Sequence, residues 1–316
     1  MDKYYLGIDL GGTTCKFGLF NNKGKLISKW HISSQVEAKN KQKALLDNIV
    51  LSIKNHLSEH KLEFKNIKAI GMAVPGIVKK NSIIQEIVNI SFNKKINIKN
   101  YFQKRFGTKL KVIAENDANV AALGEYFFGA GKNKNPFCHM IVGTGLGLGI
   151  IVDGKILEGA DNTAGEFGHL IVAEDYNIKC NCGEYGCLET VSSGTGIAKL
   201  YYQMAKAEKL YYLTNNLIAK DIINNAKNGD EFSQRVLDKS MGYLAKAINE
   251  LAKIINPELI SIGGGVSGAG NIIIKYINNN LDKYNNSRLI KKPRVTIAKL
   301  KNDAGIFGAL ALVFDK

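Results

Sequence analysis

Apolar residues along this chain follow helical and strand spacing in turn. Residues 41–61 carry apolar side chains four positions apart, which is the spacing of one helix face: Leu45, Ile49, Ile53 and Leu57. A long helix is predicted over residues 231–258, stopped by Pro257, and a closing helix over residues 302–314.

Shorter apolar runs predict buried strands between these helices, over residues 67–78 and 259–265. Residues 110–131 predict a short strand followed by a helix that begins near Asp117. Because strands and helices alternate, we expect an α/β protein with parallel sheets and crossover helices.

Two segments share one pattern of strand, glycine-rich turn, strand, turn and strand: residues 4–32 and 141–159. The similar spacing from glycine loop to hairpin turn, residues 11–24 and 143–154, suggests a duplication with one hairpin in each of two domains. A dinucleotide-binding fingerprint is disfavoured, because a β-branched strand and an Asp-Gly turn follow the second glycine loop where that fingerprint requires a helix.

Composition and charge narrow the class of protein. Hydrophobic residues make up 45% of the chain and charged residues 22%, which is typical of a globular protein, and the length allows two domains. No apolar run approaches the ~18 residues of a membrane span and no signal-peptide layout is present, so we expect a cytoplasmic protein without a membrane partner. The formal net charge is +15, but only four of the 43 basic residues are arginine and the lysines are scattered, so no nucleic-acid partner is predicted.

Three glycine-rich clusters each follow a predicted strand: residues 9–14, 143–149 and 263–270. Backbone N–H groups become available to a polyanion at such positions. The G-x-x-x-x-G-K-[ST] spacing of a P-loop is missing from the sequence. A tight turn explains any one cluster equally well, but the three in this order favour a nucleotide clamped between two phosphate-binding hairpins.

Three closely spaced cysteines and an upstream histidine supply the ligands of a closed tetrahedral zinc site: His169, Cys180, Cys182 and Cys187. Disulfides are disfavoured in a cytoplasmic chain. Because protein ligands fill all four positions, such a zinc cannot activate water, and we predict a structural ion. Cys15 and Cys138 are isolated in apolar strands and are interpreted as small buried hydrophobic residues.

The triplet Glu115-Asn116-Asp117 places a carboxylate at the start of a predicted helix. Phosphoryl transfer requires a group that positions the acceptor hydroxyl and accepts its proton, which suits Asp117. From the residues alone, helix N-capping by the same aspartate is an equally good explanation. Glu115 is expected to face elsewhere.

Together these segments resemble the ROK family (repressor, open reading frame, kinase) of bacterial sugar kinases and repressors. The resemblance covers essentially the whole chain and rests on GIDLGGTTCKFGLF, PGIV, ENDANVAALGE, GTGLGLGI, AGEFGH, CNCGEYGCLE and IGGGVSGAG. It implies a two-domain, actin-like/hexokinase (ribonuclease H-like) ATPase fold with a cleft between the domains. The expected domains are residues 1–115, with helix 303–316 packing back on them, and residues 116–302, which carry the zinc loop.

The resemblance also implies roles for individual residues. It implies contacts to ATP at Asp9, Gly11, Gly12, Thr13, Thr14, Thr144, Gly145, Gly264 and Gly265. Of these residues, Asp9 is implied to hold Mg²⁺. It favours Asp117 as the general base and implies a sugar site at Gly76, Asn116, Asp117, Glu166, His169 and Glu189. Solvated loop carboxylates are the alternative for the two glutamates. Ser192, Ser193 and Thr195 are explained equally well as helix caps.

The implied function is that of an ATP-dependent kinase of the 6-hydroxyl of a hexose, with glucose as the first expectation and a homodimer as the expected assembly. N-acetylmannosamine and N-acetylglucosamine kinases share nearly all these residues and remain alternatives. A sugar-responsive repressor of the same family is disfavoured, because the first hairpin begins at residue 4 and leaves no room for a helix-turn-helix domain before it. An actin-like or chaperone ATPase gives no reason for the zinc loop.

Overall fold

Two five-stranded sheets, each in its own unit of the chain, form the framework of the protein. The computed structural model describes residues 3–85, 87, 94–107, 110–210, 216–285 and 291–314. Contacts divide the chain into unit 1, residues 1–129, 158–164 and 302–316, and unit 2, residues 130–157 and 165–301.

Unit 1 begins with a three-stranded hairpin and continues with alternating helices and strands. Its elements are β1 (Tyr4–Leu10), β2 (Thr14–Phe20), β3 (Leu26–Ser33), α1 (Lys41–Glu59), β4 (Ile67–Val74), β5 (Val78–Lys79), β6 (Ile83–Ile84), β7 (Ile96–Asn97), α2 (Ile98–Phe106), β8 (Lys111–Asn116), α3 (Asp117–Phe128) and α9 (Ala304–Val313). The large sheet has the order β3-β2-β1-β4-β8, in which the hairpin strands are antiparallel while β4 is parallel to β1 and β8. Strands β5, β6 and β7 form a small separate sheet.

Unit 2 repeats this plan. Its elements are β9 (Phe137–Val142), β10 (Leu146–Val152), β11 (Lys155–Ile156), α4 (Glu189–Ser192), α5 (Gly194–Ala207), α6 (Ala219–Lys227), α7 (Glu231–Ile255), β12 (Leu259–Gly263), α8 (Asn271–Tyr284) and β13 (Val295–Ile297). The sheet order is β11-β10-β9-β12-β13, with antiparallel pairs in the hairpin and parallel pairs between β9, β12 and β13. The two predicted hairpins are therefore confirmed, and both sheets have the same order and directions.

Short 3-10 helices connect several of these elements. They lie at Phe64–Asn66, Phe167–His169, Glu174–Tyr176, Gly265–Ala269 and Lys301–Asp303.

Both faces of the unit 1 sheet are covered by helices. One face packs against α1 and α2 through a core that includes Ile8, Phe17, Ile49 and Phe102. Helices α3 and α9 cover the other face. Helix α9 lies so close to β4 that a Cβ on Gly71 would come within 1.7 Å of the carbonyl oxygen of Ala309. Glycine is therefore required at this crossing.

The boundary between the units differs from the one the sequence predicts. Unit 1 extends to residue 129 rather than ending at residue 115. The reason is that α3 packs against α9, β4 and β8 of the same unit, so the helix that begins at Asp117 belongs with unit 1. Of the closing segment 303–316, the described part ends at residue 314, and α9 packs on β1 and β4.

The predictions for α7 and for the two isolated cysteines are confirmed. Helix α7 begins after its N-cap Asp230, whose side chain accepts a hydrogen bond from Ser233 N–H, and ends at the left-handed residue Asn256 before Pro257. Cys15 and Cys138 are buried. Across the described ranges, no helix combines the length and the apolar character needed to cross a membrane.

Candidate active site

The carboxyl ends of three parallel strands meet at one edge of the unit 1 sheet, where ligands of α/β proteins bind. Asp9 pairs in register with Ala73 near the end of β4, and Val74 pairs with Asn116 at the end of β8. This register brings Asp9, the segment after β4 and the start of α3 to the same edge.

Asn116 joins two of the predicted sugar-binding segments. Its side-chain Oδ1 accepts hydrogen bonds from the backbone N–H groups of Ala118, at 2.9 Å, and Asn119, at 3.3 Å, so Asn116 is the N-cap of α3. Its Nδ2 donates to the carbonyl oxygen of Gly76 at 3.2 Å. The structure therefore brings Gly76, Asn116 and Asp117 together as the sequence predicts.

Asp117 is the first residue of α3 and is half-buried. Its Oδ1 accepts a hydrogen bond from the N–H of the next residue, Ala118, at 2.8 Å. The interpretation of Asp117 as the helix cap is wrong, because Asn116 fills that position. A carboxylate in the first turn of a helix is stabilised by the helix dipole.

Glu115 faces the interior of unit 1, as expected. It is 2% exposed, and its Oε1 accepts hydrogen bonds from Asn116 N–H at 2.8 Å and from the Asn119 side chain at 3.1 Å. Burial raises the pKa of Glu115, and the two hydrogen bonds oppose this shift. Neighbouring carboxylates in one triplet thus have separate environments.

Asp9 lies at the end of β1 beside Lys16 of β2, with 3.5 Å between the Oδ2 and Nζ atoms. Burial raises the pKa of the Asp9 carboxyl, and the positive charge of Lys16 opposes that shift. A Cβ on Gly305 would come within 2.5 Å of the carboxyl carbon, so the first turn of α9 packs directly on this group.

The glycine turn that follows β1 is fixed by backbone groups. Gly11 N–H donates to Thr14 O at 3.0 Å, and Ser34 N–H donates to Thr13 O at 2.9 Å. A Cβ on Gly12 would have no described protein atom within 4 Å. The backbone at Gly12 is therefore open to a ligand.

In unit 2 the corresponding turn, residues 143–145, follows β9. Gly194 N–H donates to Gly143 O at 2.7 Å, and Thr195 Oγ1 donates to Thr144 O at 2.7 Å. Ser193 caps α5 by accepting a hydrogen bond from Gly196 N–H at 3.0 Å. The capping interpretation is thus confirmed for Ser193, while Thr195 instead holds the glycine turn.

Glycine occurs in these unit 2 loops for two different structural reasons. A Cβ on Gly264, which has a φ of 81°, would lie 2.6 Å from Val142 O, and one on Gly145 would lie 2.8 Å from Glu189 Oε2. Packing within unit 2 therefore requires glycine at position 264, whereas a Cβ at position 145 would require only that the end of the Glu189 side chain shift. At Gly143 and Gly265 a Cβ would have no described protein atom within 4 Å, which leaves open backbone.

A cavity of about 860 Å³ lies beside this turn, entirely within unit 2. Its lining is largely apolar, with lysines among the polar members: Gly143, Thr144, Gly194, Thr195, Ala198, Lys199, Ile218, Ala219, Lys220, Ile223, Asn224, Lys227, Gly265, Val266, Gly268 and Ala269. Its size and lining are typical of a small-molecule site.

Helix α6, which forms one wall of this cavity, is not among the predicted elements. The spacing of its buried residues, Ala219, Ile222, Ile223 and Ala226, is the signal that could have found it.

The four predicted zinc ligands come together in unit 2. One donor atom from each of His169, Cys180, Cys182 and Cys187 lies within 4.8 Å of the other three. His169 Nδ1 is 3.5 Å from Cys180 Sγ, and Cys182 Sγ is 3.6 Å from Cys187 Sγ. Neighbouring N and S ligands of tetrahedral zinc lie about 3.5–3.8 Å apart, so this donor set fits the ion.

Local backbone structure presents these ligands. Cys180 N–H donates to Glu184 O at 2.8 Å, Gly183 N–H donates to Cys180 O at 3.1 Å, and Gly183 has a φ of 106°. Cys187 pairs with Ile171 in a β-bridge, close to His169. A tight turn and a bridge thus gather four ligands from two segments.

Each of the two predicted glutamates lies close to one ligand of the metal cluster. Glu166 Oε2 is 3.7 Å from His169 Nε2, the ring nitrogen that faces away from Cys180. Glu189 Oε1 accepts from Cys180 Sγ at 3.3 Å, and its Oε2 accepts from Leu146 N–H at 3.3 Å. The sequence gives no sign of this second contact, because Leu146 lies 43 residues earlier in the chain.

Comparisons with known proteins identify the family of this chain. The chain is 38% identical to the glucokinase of Halalkalibacterium halodurans over 99% of this chain and 95% of that protein. It is 31% identical to the glucokinase of Thermotoga maritima, over 98% of this chain and 97% of the relative. The ROK family glucokinase from Streptomyces griseus, solved in complex with glucose and AMPPNP, superposes with a TM-score of 0.78 at 28% identity, over 98% of each chain. Since the ROK family model also matches residues 5–316, this chain belongs to the ROK family.

Proposed function

We propose that this protein is an ATP-dependent sugar kinase that transfers a phosphoryl group to the 6-hydroxyl of a hexose, with glucose as the preferred acceptor. The relatives named glucokinase and the glucose and AMPPNP complex of the Streptomyces griseus protein support the reaction and the acceptor. The single observation that carries the proposal is Asp117, whose carboxylate begins α3 while Asn116 performs the capping.

Nucleotide binding is assigned to the unit 2 cavity and to both glycine turns. The apolar walls of the cavity accept the adenosine beside Gly264 and Gly265. Backbone N–H groups of Thr144 and Gly145 then face the phosphates from this unit. Phosphate contacts from unit 1 are assigned to the turn Gly11, Gly12, Thr13 and Thr14.

Asp9 is the residue proposed to hold Mg²⁺. A carboxylate oxygen is the hard ligand that this ion prefers. Burial raises the pKa of the Asp9 carboxyl, but the positive charge of Lys16, 3.5 Å away, opposes that shift and favours the ionised form that would bind the ion. When bound, Mg²⁺ neutralises charge on the transferred phosphoryl group.

Asp117 acts as the general base. As the sugar O6–phosphorus bond forms and the bond to the ADP oxygen breaks, the Asp117 carboxylate accepts the proton of the 6-hydroxyl. Asn116 and Gly76, joined by their hydrogen bond, orient the sugar at the same edge. Glu166, His169 and Glu189 are assigned to other sugar hydroxyls, with His169 using Nε2 because its Nδ1 faces the cysteines.

The residues that fit zinc have a structural role in this proposal. His169, Cys180, Cys182 and Cys187 would hold the ion, which supplies a cross-link between the two segments and no reactive water. The chain then keeps Glu166 and Glu189 at fixed positions next to that cross-link.

The test is a coupled ADP-release assay with Mg-ATP and a panel of glucose, mannose, fructose, N-acetylglucosamine and N-acetylmannosamine. We expect the highest kcat/KM with glucose. A higher value with an acetamido sugar would replace glucose by that acceptor while keeping the kinase. Failure of every sugar to raise ADP release above the sugar-free rate would contradict the kinase itself.

A further inference from the structure

Glu189 is shared between two parts of unit 2 that have separate proposed roles. Its Oε1 lies 3.3 Å from Sγ of Cys180, in the metal cluster. Its Oε2 accepts a hydrogen bond at 3.3 Å from the N–H of Leu146, the first residue after the glycine turn 143–145. One carboxylate therefore contacts both the protonated thiol of Cys180 and the turn. Because metal binding removes that proton, the link between the metal and Glu189 runs through the backbone.

The backbone position of Glu189 is tied to the metal ligands. Glu189 begins α4 two residues after Cys187, and the N–H of the next residue, Thr190, donates to Cys187 O at 2.9 Å. Between them, Leu188 N–H donates to the carbonyl oxygen of Leu170, the neighbour of His169, at 2.8 Å. A cross-link among the four ligands consequently fixes the start of α4.

The carboxylate of Glu189 also packs against the glycine turn at residues 143–145. A Cβ on Gly145 would lie 2.8 Å from Glu189 Oε2, so this carboxylate packs directly against the turn. Residues 143 and 144 of the same turn line the unit 2 cavity. A change in the position of Glu189 is therefore passed to backbone that borders the proposed nucleotide site.

We infer that Glu189 is a positioning residue that couples the metal cluster to the nucleotide-binding turn, so that metal occupancy raises nucleotide affinity. This inference rests on the proposed nucleotide site in unit 2. With the four ligands cross-linked, Glu189 holds Leu146 N–H and the turn keeps its shape. Without the cross-link, residues 180–189 gain freedom, the anchor is lost and the turn must be ordered by the nucleotide itself.

The experiment measures binding of AMPPNP with Mg²⁺ by calorimetry in the absence of sugar, so that sugar contacts of Glu189 do not enter. Zinc-loaded and chelator-treated protein are compared for the wild type and for Glu189→Ala, with metal content and circular dichroism measured on each sample. We expect metal removal to weaken AMPPNP binding about fivefold in the wild type. In Glu189→Ala binding is weak with zinc, and metal removal weakens it no further.

Two further variants separate positioning from a general effect of charge. Glu189→Gln keeps an amide oxygen that can accept Leu146 N–H, so it should retain most of the wild-type affinity. Glu184→Ala removes an exposed carboxylate from the same loop and should leave AMPPNP affinity unchanged.

Equal AMPPNP affinity of folded wild-type protein with and without zinc would overturn the inference. If chelation unfolds the protein, the zinc-loaded variants decide, and wild-type affinity in Glu189→Ala would overturn it as well. A wild-type protein that binds no AMPPNP in any metal state would instead refute the proposed nucleotide site.

Discussion

The turns after β1 and β9 occupy the same place in two sheets of identical order, yet they are held differently. Backbone groups fix residues 11–13, through the N–H groups of Gly11 and Ser34. The turn at residues 143–145 is anchored in addition by two side chains, Thr195 and Glu189.

This difference separates two tasks that the shared topology alone would not distinguish. Unit 1 places the side-chain carboxylates Asp9 and Asp117 at its sheet edge, and the turn at residues 11–13 is held by backbone hydrogen bonds. Unit 2 places a braced backbone turn beside an apolar cavity and a cluster of metal ligands. We therefore expect substitutions of Asp9 and Asp117 to affect chemistry and substitutions around the unit 2 turn to affect nucleotide binding or stability.

The largest effect is expected for Asp117→Asn. Loss of the general base should lower kcat by about 10²–10⁴-fold, because an amide cannot accept the hydroxyl proton. Glucose and AMPPNP affinities, measured by calorimetry, should stay within about twofold, because the amide keeps the size and an oxygen of the side chain.

The matched control is Glu115→Gln in the same triplet. It removes an equal charge, keeps an oxygen for both hydrogen bonds and leaves the edge intact, so kcat should be unchanged. Because burial raises the folded-state pKa of Glu115, the wild type loses stability as pH rises above the ordinary value of 4.5, and Glu115→Gln should lack that loss. Equal kcat in Asp117→Asn and Glu115→Gln would remove the distinction between the carboxylates.

The neighbouring residues Gly264 and Gly265 test whether glycine is needed in unit 2 for packing or for open backbone. Gly264→Ala should destabilise unit 2 by about 2–3 kcal/mol, since a left-handed φ and a contact with Val142 O both exclude a Cβ. Gly265→Ala should change stability by less than about 0.5 kcal/mol and weaken AMPPNP binding instead. Thermal unfolding and calorimetry measure the two quantities. Equal melting temperatures for both variants would contradict the division.

A smaller effect is expected at Thr195. Thr195→Val keeps the shape of the side chain but removes the hydrogen bond to Thr144 O, which contributes about 1 kcal/mol. We expect KM for ATP to rise about fivefold with kcat nearly constant. Thr195→Ser restores the hydroxyl and should restore KM. A loss of kcat in the valine variant would show that the turn takes part in the chemical step.

The smallest effect lies away from both turns, at Asp47 on α1. Hydrogen bonds lower the pKa of Asp47 from 3.8 to about 2; the largest contribution comes from Lys43, followed by Tyr101 and Arg105. Its contribution to stability is therefore complete above pH 3.8 and is lost as pH falls toward 2. Because the side chain is 36% exposed, the loss should be about 1 kcal/mol or less. Acid unfolding of Asp47→Asn should lack this component, with kcat unchanged; an identical acid profile would contradict it.

Sequence patterns predicted features that depend on local spacing. Both hairpins, the end of α7 before Pro257 and the gathering of three cysteines with His169 are all confirmed. Each follows from turn residues, helix periodicity or ligand spacing within a short segment.

Features that depend on distant parts of the chain could not be predicted in this way. Asn116 rather than Asp117 caps α3. Asn116, the last residue of β8, has a non-helical ψ of 141°, and the helical conformation starts at Asp117. The contacts of Glu189 with Leu146 and Gly145 join segments far apart in sequence. Helix α8 is not among the predicted elements, although its buried residues Ile273, Ile277 and Leu281 lie four positions apart.

The most direct test of the proposed reaction is identification of its product by phosphorus NMR, with glucose and Mg-ATP as substrates and Asp117→Asn alongside. We expect the wild type to form glucose 6-phosphate in equal amount to ADP, and the variant to form neither at a comparable rate. ADP formed without glucose 6-phosphate, or glucose 6-phosphate formed as fast by Asp117→Asn, would contradict transfer to the 6-hydroxyl with Asp117 as the base.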